Sequence, residues 1–423
     1  MRYLYTLAGY LLLAPIFCAV LWFRSLRDAR YRQRFSQRFG SGEVMAEPSI
    51  WVHAVSVGEV NAAAVLVRTL YDRYPGIPLV VTTLSPMGDE RARTLLGDRA
   101  NIRYLPLDLP GSVSRFFDRV KPRIAVIFET ELWPNLYHEC GRRRVPLVLA
   151  SARLSPRNMS RYRRFISLFR EVLSNRVTIA AQGESDAERF RSLGADPERT
   201  HVTGNLKFDF AVPANVKTKG AELRQLYAAD RPVWVAGSTH AGEEAQVLEA
   251  HREVRKTHPG AILALVPRHP QRFNEVASWL EKQNVRFIRH SQPSARTRDL
   301  EVVLVDTLGE LLDFYAMGDV AFVGGTLVEV GGHNLLEPAA LGLPVLAGPH
   351  NFNGADIAKI LVERGAVFIV NDARELAAKV SVLLSSPEDR ARIGTLGREC
   401  IEDNRGALNK LLSLIDPLLE GPR

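Results

Sequence analysis

Cysteine is scarce in this chain, and its scarcity excludes two kinds of site. The 423 residues contain three cysteines, Cys18, Cys140 and Cys400, which are odd in number and far apart. Neither a disulfide framework nor a cysteine-based zinc site has this spacing. Such sparse use of cysteine fits a reducing compartment.

Three short signatures are also missing from the sequence. It contains no D-x-D, no H-E-x-x-H and no G-x-G-x-x-G. The first two absences remove the motifs from which a metal site is usually read, and the third counts against hydride transfer with a dinucleotide. We therefore predict neither a metal ligand nor a cofactor.

Acidic residues are outnumbered by basic ones. The chain has 55 Lys and Arg against 47 Asp and Glu, which gives a net charge of +8. This balance favours anionic partners: a phospholipid surface, a phosphorylated substrate or nucleic acid. A hydrophobic content of 46% indicates a globular protein, and 423 residues exceed a single ordinary core, so we expect two domains.

The longest uncharged stretch lies at the N-terminus, from Leu4 to Phe23. A helix of about twenty residues reaches ~30 Å, the thickness of a bilayer core. The alternatives are a buried core helix and a cleaved signal peptide, but a signal peptide has a basic start and a small-residue cleavage site. Here the basic residues follow the stretch instead. We predict that residues 1–23 are an uncleaved anchor, spanning or monotopic, and that the rest of the chain stays cytoplasmic.

Beyond the anchor, short apolar runs alternate with helical patterns, which is typical of βα units around a parallel sheet. We predict two Rossmann-like domains facing a cleft: 24–209, then a linker at 210–219, then 220–423, with the last helix packing across one domain or back onto the other. The predicted strands are Ile50–Val55, Leu79–Leu84, Ile102–Leu105, Ile124–Phe128, Leu147–Ala150, Val177–Ala181, Val233–Ala236, Ile262–Val266, Val285–Ile288, Val302–Val305, Val320–Val323, Val345–Ala347 and Val367–Val370.

Two glycine pairs near position 330 mark one candidate site. After the predicted strand Val320–Val323 come Gly324 and Gly325, then Gly331-Gly332-His333-Asn334 and a short helix. Pro338 lacks an N–H and belongs in a first turn, which places the helix start near Asn334. Free backbone N–H groups there form an anion site, and Glu337 is placed to accept hydrogen bonds from ribose hydroxyls. The pattern indicates a nucleotide-sugar site.

The segment Ser56-Val57-Gly58-Glu59 follows the first strand and opens a helix. Ser56 and Glu59 have the spacing of a capping box, so purely structural capping is one interpretation. The other is that Glu59 is a functional carboxylate, because ligands of such sheets bind at the carboxyl ends of strands. From spacing alone both interpretations stay open.

Two more carboxylates, Glu129 and Glu131, follow the strand Ile124–Phe128. Like charges at close range raise one pKa, which suits proton transfer. Alternatively, one caps the next helix while the other pairs with an arginine. We count both as catalytic candidates.

Arg153 and Arg157 follow the strand Leu147–Ala150 and begin an arginine-rich helical stretch with interleaved aromatic residues. No recognised nucleic-acid module surrounds them, so phosphate binding by arginine is the simpler interpretation. A solvated helix face is the alternative, and the basic character also matches an anionic membrane surface.

In the second half, three further strand ends carry polar residues. Small hydroxyl groups and an imidazole follow Val233–Ala236, and a stiff loop presents a guanidinium after Ile262–Val266 that suits bidentate binding of phosphate or carboxylate. Lys207 lies at the domain junction, where it reaches a ligand or is a plain surface lysine. The candidate binding residues here are Lys207, Ser238, Thr239, His240, Pro267, Arg268 and His269.

In order and spacing these segments resemble the Kdo transferases, which attach 3-deoxy-D-manno-octulosonic acid (Kdo) to a lipid A precursor in lipopolysaccharide synthesis. The resemblance covers nearly the whole chain. It is carried by S-V-G-E at 56–59, T-T-L-S-P-M-G at 82–88, E-T-E-L-W-P at 129–134, S-A-R-L-S at 151–155, G-N-L-K-F-D at 204–209, P-R-H-P at 267–270 and G-G-H-N-L-L-E-P at 331–338.

The resemblance implies a GT-B glycosyltransferase that is inverting and metal-independent, with CMP-Kdo as donor and a tetraacylated, phosphorylated lipid A precursor (lipid IVA) as acceptor. It implies Glu59 as catalytic base and a CMP site around Arg268, Gly331–Asn334 and Glu337. Ser56, Gly58, Arg153 and Arg157 are then candidates for acceptor binding. The implied partners are these two substrates and inner-membrane phospholipid, without nucleic acid.

Two rival functions remain at this point. A sugar-nucleotide 2-epimerase of the same architecture needs no lipid acceptor, and a non-catalytic membrane-bound protein binds the nucleotide sugar without releasing CMP. Neither explains Glu59, the anchor and the basic stretch together.

Overall fold

A computed structural model describes residues 1–174, 176–292 and 299–421, without the side chains of Arg157 and Arg161. The chain forms two compact units. Unit 1 contains Met1–Phe210 and the chain from Asn404 onward, and unit 2 contains Ala211–Asp403.

Unit 1 is built on a parallel sheet of seven strands, whose order is β3-β2-β1-β4-β5-β6-β7. The strands are β1 Ser49–His53, β2 Leu79–Thr83, β3 Asn101–Tyr104, β4 Pro122–Phe128, β5 Leu147–Ala152, β6 Val177–Ala181 and β7 Thr200–Val202. Because β1 pairs with β2 on one side and with β4 on the other, the winding reverses between β1 and β4. Ligands of doubly wound sheets bind beside such a reversal.

Helices cover both faces of this sheet and complete its core. They are α1 Arg2–Ala8, α2 Ala14–Arg27, α3 Val57–Arg73, α4 Pro86–Leu96, α5 Pro110–Val120, α6 Pro134–Arg142, α7 Pro156–Arg164, α8 Ile166–Leu173 and α9 Glu184–Ser192. A π-helical turn, Gly9–Leu13, joins α1 to α2. Four of these helices begin with proline, whose fixed φ and missing N–H suit a first turn.

Unit 2 repeats the architecture with a sheet of order β10-β11-β9-β8-β12-β13-β14, also parallel. Its strands are β8 Val233–Thr239, β9 Ile262–Pro267, β10 Phe287–Arg289, β11 Val302–Leu304, β12 Val320–Val323, β13 Val345–Ala347 and β14 Val367–Ile369. Its helices are α10 Val216–Tyr227, α11 Glu243–Thr257, α12 Phe273–Lys282, α13 Leu311–Met317, α14 Leu336–Ala340, α15 Ala355–Glu363, α16 Ala373–Ser385 and α17 Pro387–Asn404. The reversal lies between β8 and β12.

The final helix, α18 (Ala407–Glu420), belongs to unit 1. Its apolar side chains, among them Leu411, are buried in the same core cluster as those of β1 and α3. The Asp209 carboxylate accepts hydrogen bonds from the backbone N–H groups of Gly406 (2.7 Å) and Leu408 (2.6 Å), and so caps this helix. The last helix therefore follows unit 2 in the sequence but packs into the hydrophobic core of unit 1.

The predicted fold class is confirmed by the two doubly wound parallel sheets. Of the fourteen strands in the described residues, thirteen coincide with apolar runs in the sequence, because strands of a parallel sheet are buried on both faces. The exception is β7, Thr200–Val202, which is three residues long and has no such run. The wound sheets place the polar residues that follow β1, β4, β8 and β12 beside the two reversals.

Candidate active site

Glu59 lies in the first turn of α3, directly after the central strand of unit 1. The capping box is present: Ser56 Oγ accepts from Glu59 N (3.2 Å), and Glu59 Oε1 accepts from Ser56 N (3.3 Å) and Ser56 Oγ (2.8 Å). The other oxygen, Oε2, accepts from Val55 N (2.9 Å). A carboxylate oxygen has two acceptor sites. Within the described residues Oε2 uses one of them, so Glu59 is both a helix cap and a group with spare accepting capacity.

Ser56 and Gly58 flank this carboxylate and are exposed, whereas Glu59 itself is 8% exposed. The carboxylate is thus buried beside two small, exposed residues, which we call the rim. Such a rim allows a hydroxyl group of a substrate to approach the carboxylate while most bulk water is kept away.

Glu129 and Glu131 lie just beyond β4, on the other side of the reversal from Glu59. Glu129 has φ 58°, in the left-handed region that non-glycine residues rarely adopt. Its carboxylate forms an ion pair with Lys207 (Nζ to Oε1, 3.0 Å). Glu131 Oε2 accepts from the indole of Trp133 (2.8 Å). The structure thus brings Glu59, Glu129, Glu131 and Lys207 into one group.

The carboxylates influence one another electrostatically. Burial raises the pKa of Glu131 to about 7, and the charge of Glu59 adds to the rise. Burial and the charge of Glu129 likewise raise the pKa of Glu59, against the hydrogen bonds from Val55 and Ser56 that lower it. These are the conditions that bring a carboxylate towards the pKa of an effective general base near neutral pH.

A hydrogen-bonded chain positions the turn that carries Lys207. Gln182 Nε2 donates to the carbonyl of Ser151 (3.0 Å), and Gln182 Oε1 accepts from Asn205 Nδ2 (3.2 Å). Asn205 Oδ1 in turn accepts from Lys207 N (3.0 Å). Gln182 follows β6, and the sequence alone does not reveal its role, because one glutamine in a loop carries no pattern. Its position after a strand of the sheet was the available signal.

The arginine-rich stretch becomes α7 and α8. The Arg153 carbonyl accepts from the Thr130 hydroxyl, which ties the loop after β5 to the loop after β4. The Arg157 side chain lies outside the described part of the structure. The rings of Tyr162 and Phe169 pack against each other edge to face, with centroids 4.6 Å apart. Arg163 and Arg164 are exposed and leave this surface basic.

In unit 2, the residues after β8 lie beside the second reversal. Ser238 has φ 58°, and Ser238 and Thr239 are both buried. Among the described residues, Thr239 Oγ1 has no hydrogen-bond partner although it is buried. A buried hydroxyl in that state is a candidate contact for a bound ligand.

Three histidines meet at this edge of the sheet. The rings of His240 and His333 are nearly parallel (5°) with centroids 5.0 Å apart, and they meet edge to edge with their Nε2 atoms 2.7 Å apart. His269 packs edge-on against His240 at 5.1 Å. Burial and the nearby positive charges lower the pKa of His240 to about 4 and that of His333 to about 3. The three rings are therefore neutral near pH 7, and the 2.7 Å contact is one imidazole donating to the other.

Two guanidinium groups border the histidine cluster. Arg272 is held by a bidentate ion pair with Glu244 (2.6 and 3.2 Å). Arg268 follows Pro267, the last residue of β9, and is exposed. Its charge lowers the pKa of His240, His269 and His333, which shows its proximity to all three. Two guanidinium groups beside three neutral imidazole rings make this edge of the sheet suitable for binding an anion.

Glu243 is a residue whose role the sequence had not revealed. It is fully buried in the first turn of α11. Its oxygens accept four backbone hydrogen bonds: from His240 N (3.0 Å), Gly325 N (2.7 Å), Thr326 N (2.9 Å) and Leu327 N (2.9 Å). The carboxylate thus joins the loop after β8 to the loop after β12. The signal that could have found it is a glutamate three residues after a strand-end histidine, in a first helical turn.

The glycine segment after β12 folds back on itself. Gly331 and Gly332 have φ of 106° and 81°, and both of their N–H groups donate to the carbonyl of Gly325 (3.1 and 2.8 Å). A Cβ on Gly331 would lie 2.4 Å from the ring of Phe352, and the φ of 106° is one that residues with a side chain rarely adopt, so glycine is favoured there. The segment delivers His333 to the histidine cluster.

The helix beyond this segment is short, Leu336–Ala340. Asn334 Oδ1 accepts from Leu336 N (3.1 Å), and Asn334 Nδ2 donates to Glu337 Oε1 (3.1 Å). Asn334 therefore caps one N–H that the sequence analysis had expected to be free, and it orients Glu337. Glu337 stays half-buried at this edge.

Within the described ranges, no group of three or more His, Cys, Asp or Glu side chains is arranged to hold a metal ion. The charged groups that the structure does supply are the carboxylate group of unit 1 and the guanidinium groups of unit 2.

Two family models match the chain. Residues 33–210 match the model described as 3-deoxy-D-manno-octulosonic-acid transferase (kdotransferase). Residues 245–399 match glycosyl transferases group 1. Together the matched ranges include the carboxylate group and the histidine cluster.

Full-length relatives are similar to the whole chain. A 3-deoxy-D-manno-octulosonic acid transferase of Haemophilus influenzae is 42% identical over 423 residues, covering 99% of each chain. A protein of the same name from Bordetella pertussis is 35% identical over 96% of this chain and 97% of its own.

Solved structures of lower identity share the fold. A UDP-GlcNAc 2-epimerase from Neisseria meningitidis matches with a TM-score of 0.58 at 12% identity, over 87% of this chain and 100% of its own. A glycosyltransferase from Rickettsia africae matches with a TM-score of 0.55 at 12% identity, over 89% of this chain and 100% of its own. At such identities the likeness shows the fold alone, which is that of two Rossmann-like domains of the GT-B class.

Proposed function

The chain belongs to the family of 3-deoxy-D-manno-octulosonic acid (Kdo) transferases, and on that premise we propose that it transfers Kdo from CMP-Kdo to lipid IVA, a tetraacylated lipid A precursor. The reaction inverts the anomeric carbon, needs no metal ion and serves lipopolysaccharide core biosynthesis. The observation that carries the proposal is the Glu59 carboxylate, which is buried at the reversal of unit 1 and has a raised pKa.

Glu59 is the general base of this reaction. Its Oε2 atom, with one acceptor site in use, takes the proton of an acceptor hydroxyl as that oxygen attacks the anomeric carbon. The bond from that carbon to the CMP phosphate breaks, and the electron pair leaves with CMP. A carboxylate with a raised pKa binds a proton more strongly than an ordinary one, and general-base catalysis of this kind is worth roughly 10²–10⁴-fold in rate.

In this proposal the charged groups near Glu59 adjust its pKa and do not themselves act as the base. Glu129 raises the pKa of Glu59, and Lys207 limits that effect by pairing with Glu129. Glu131 shares the repulsion, and burial together with the charge of Glu59 raises its pKa to about 7. The Lys207 ammonium, about a quarter exposed, is our candidate partner for the sugar carboxylate.

The basic edge of unit 2 binds the CMP moiety. Arg268 contacts the phosphate, for which an exposed guanidinium on a proline-bounded loop is suited. The half-buried Glu337, oriented by Asn334, accepts hydrogen bonds from the ribose. The hydroxyl of Thr239, which has no partner among the described residues, is a further donor towards the nucleotide. Cationic and N–H donors at the departing phosphate stabilise its charge in the transition state.

Arg153 and the exposed arginines of α7 contact the phosphates of the acceptor. The apolar N-terminal helix holds the enzyme at the cytoplasmic face of the inner membrane, where a lipid acceptor is present. In the described part of the chain, this helix, Arg2–Arg27, is the one long and apolar enough to cross a bilayer.

The direct test is to incubate the purified full-length protein with CMP-Kdo and lipid IVA and to weigh the products. We expect an acceptor heavier by one or more Kdo residues, together with free CMP, also in the presence of a chelator. Release of the epimerised nucleotide sugar without acceptor would indicate a 2-epimerase instead. Donor binding without CMP release would indicate a binding protein. The anomeric configuration of the product, read by NMR, tests inversion.

A further inference from the structure

The apolar N-terminal segment lies along unit 1 instead of projecting from it. At about 1.5 Å per residue, Arg2–Arg27 is ~39 Å long. Its first turn contacts unit 1: Arg2 lies 3.8 Å from Glu171 of α8, and the Thr6 hydroxyl donates to Asn135 Oδ1 of α6 (3.0 Å). The Tyr5 hydroxyl interacts with the carboxylate of Asp108. The amino end of the helix is therefore fixed to the globular unit.

The carboxyl end of the helix is fixed to the same unit. Leu21 and Ser25 are buried, and Arg32 donates to Ser25 Oγ (3.0 Å). The segment that follows binds unit 1 through Arg34, which contacts the Asp89 carboxylate (2.5 Å). Arg38 also donates to the Leu84 carbonyl (2.6 Å). Both ends of a ~39 Å helix thus rest on one globular unit.

The π-helical turn keeps the two halves of the helix on one face. The half-buried and buried residues of the helix are at 2, 5, 6, 8 and 9, and then at 14, 17, 18, 21 and 25. Both sets have the three- and four-residue spacing of a helix stripe, but the step from Gly9 to Ala14 is five residues. A π-turn has i→i+5 hydrogen bonds and absorbs one extra residue. Without it, the stripe of α2 would be rotated away from the stripe of α1.

The opposite face of the helix is apolar and exposed. It includes Leu4, Leu7, Leu11, Ile16, Trp22 and Phe23, which are between 56% and 68% exposed. No acidic residue occurs between Arg2 and Arg27, and Arg24 and Arg27 are exposed at the carboxyl end of the helix. An apolar face bordered by arginine and aromatic residues matches the boundary between headgroups and acyl chains of an anionic membrane.

We infer that Arg2–Arg27 is an in-plane helix that inserts its outer face into one leaflet of an anionic phospholipid bilayer and does not span it. A spanning helix has its ends on opposite sides of a ~30 Å hydrocarbon core, and unit 1, which contacts both ends, cannot be on both sides. Spanning would also separate Arg2 and Thr6 from their partners. The inference rests on the proposed membrane association and specifies its geometry.

Cross-linking in membranes tests this geometry. The full chain carrying Arg2→Cys and Glu171→Cys is bound to vesicles of phosphatidylethanolamine and phosphatidylglycerol and treated with a flexible bismaleimide. Cys18 is replaced by Ala in this background, since Cys140 and Cys400 are buried. The matched control pairs Leu4→Cys, on the outer face, with Glu171→Cys. We expect an intramolecular cross-link for the first pair and several-fold less for the control.

Protease access to the N-terminus and sedimentation with vesicles distinguish an in-plane helix, a spanning helix and a protein that does not bind membranes. A protease-cleavable tag at Met1 should be cut by protease added to the side on which the globular units lie. A protected tag and a missing cross-link in vesicle-bound protein would overturn the in-plane geometry, while Kdo transfer, measured on the same sample, would stand. If the protein did not sediment with the vesicles, membrane association itself would be refuted, and this inference with it.

Single-residue deletions provide a second, independent readout. Deleting Leu12 removes the extra residue of the π-turn and leaves a regular helix, so the Arg2–Glu171 cross-link should persist. Deleting Val20 rotates everything before it by about 100°, one residue of helix, and should abolish the cross-link. A spanning helix would show no difference between the two deletions, which would overturn the proposal.

Discussion

Two glutamates occupy equivalent positions in the two units, but they differ in burial and in the number of backbone hydrogen bonds they accept. Glu59 lies in the first turn of the helix after β1, and Glu243 lies in the first turn of the helix after β8. Both β1 and β8 are central strands next to a reversal, and both carboxylates accept from the backbone N–H three residues before them. Glu243 accepts three more backbone bonds and is fully buried. Glu59 accepts fewer backbone bonds and is edged by an exposed rim.

Under the proposed function, the same fold holds a reactive carboxylate in one unit and a structural one in the other. In unit 2 the carboxylate is saturated by N–H donors, which fix the loops that present the histidines and Arg268. In unit 1 the carboxylate is only partly satisfied and lies near Glu129 and Glu131, so its pKa is raised. The fold supplies the location, and the number of donors around the carboxylate decides its use.

The sharpest test of the comparison is Glu59→Gln. A glutamine can keep the hydrogen bonds from Ser56 through its carbonyl oxygen, loses the one from Val55 N, and cannot accept a proton from the acceptor. We expect kcat to fall roughly 10²–10⁴-fold, while the dissociation constant for CMP changes little. Steady-state kinetics and calorimetry measure the two quantities. The control is Glu47→Gln, an exposed position that should leave kcat unchanged. Retained turnover in Glu59→Gln would remove this residue as the base.

The opposite result is expected for Glu243→Gln. The new amide NH₂ must face backbone N–H groups that now donate to a carboxylate, so two buried donors lose their acceptor. The cost is about 3 kcal/mol in the free energy of unfolding. Urea unfolding followed by circular dichroism measures it, and Glu249→Gln, exposed on the same helix, is the control. If Glu243→Gln unfolded like the wild type and lost only turnover, the two glutamates would not differ as argued.

The sequence predicted the parts that depend on burial and on strand ends. Apolar runs located all strands except β7, and the rule that ligands bind at carboxyl ends selected Glu59, Glu129, Arg268 and His240. What the sequence did not contain is pairing across distant segments. Three of the four backbone bonds of Glu243 reach 82 to 84 positions along the chain, and the Lys207–Glu129 pair joins residues 78 apart. Local patterns cannot show such contacts, since the sheet order creates them.

The Asn334 helix start shows the same limit on a smaller scale. The glycine and proline pattern correctly located the turn and the short helix. The side chain of Asn334 nevertheless bonds Leu336 N, and so uses part of the anion site that the backbone alone would offer. Whether a side chain caps its own helix depends on its rotamer, which the pattern does not determine. Positive charge at this edge therefore depends more on Arg268 than the sequence suggested.

Arg268→Ala tests that dependence and has a smaller expected effect. A charged hydrogen bond to phosphate contributes about 1.5–3 kcal/mol, so the KM for the donor should rise about 10–100-fold with a modest change in kcat. Initial rates at saturating acceptor measure this. Arg252→Ala, an exposed arginine elsewhere in unit 2, is the control. A fall in kcat at unchanged KM would place Arg268 at the reacting bond and not at the nucleotide.

The smallest expected effect is a shift in pH dependence on neutralising Glu129. In the wild type, turnover should fall as pH drops through the pKa of Glu59, because the protonated carboxyl cannot act as base. The negative charge of Glu129 raises the pKa of Glu59, Lys207 pairs with Glu129, and the charge of Glu59 in turn raises the pKa of Glu131. Glu129→Gln therefore lowers the pKa of Glu59, and the acid limb of kcat/KM should move to lower pH by about half a unit. Lys207→Met, which leaves Glu129 unpaired, should move the limb the other way. An unchanged acid limb in both variants would mean that the base titrates independently of Glu129 and Lys207. The contrast between a carboxylate with a raised pKa in unit 1 and one saturated by N–H donors in unit 2 would then lose its electrostatic basis.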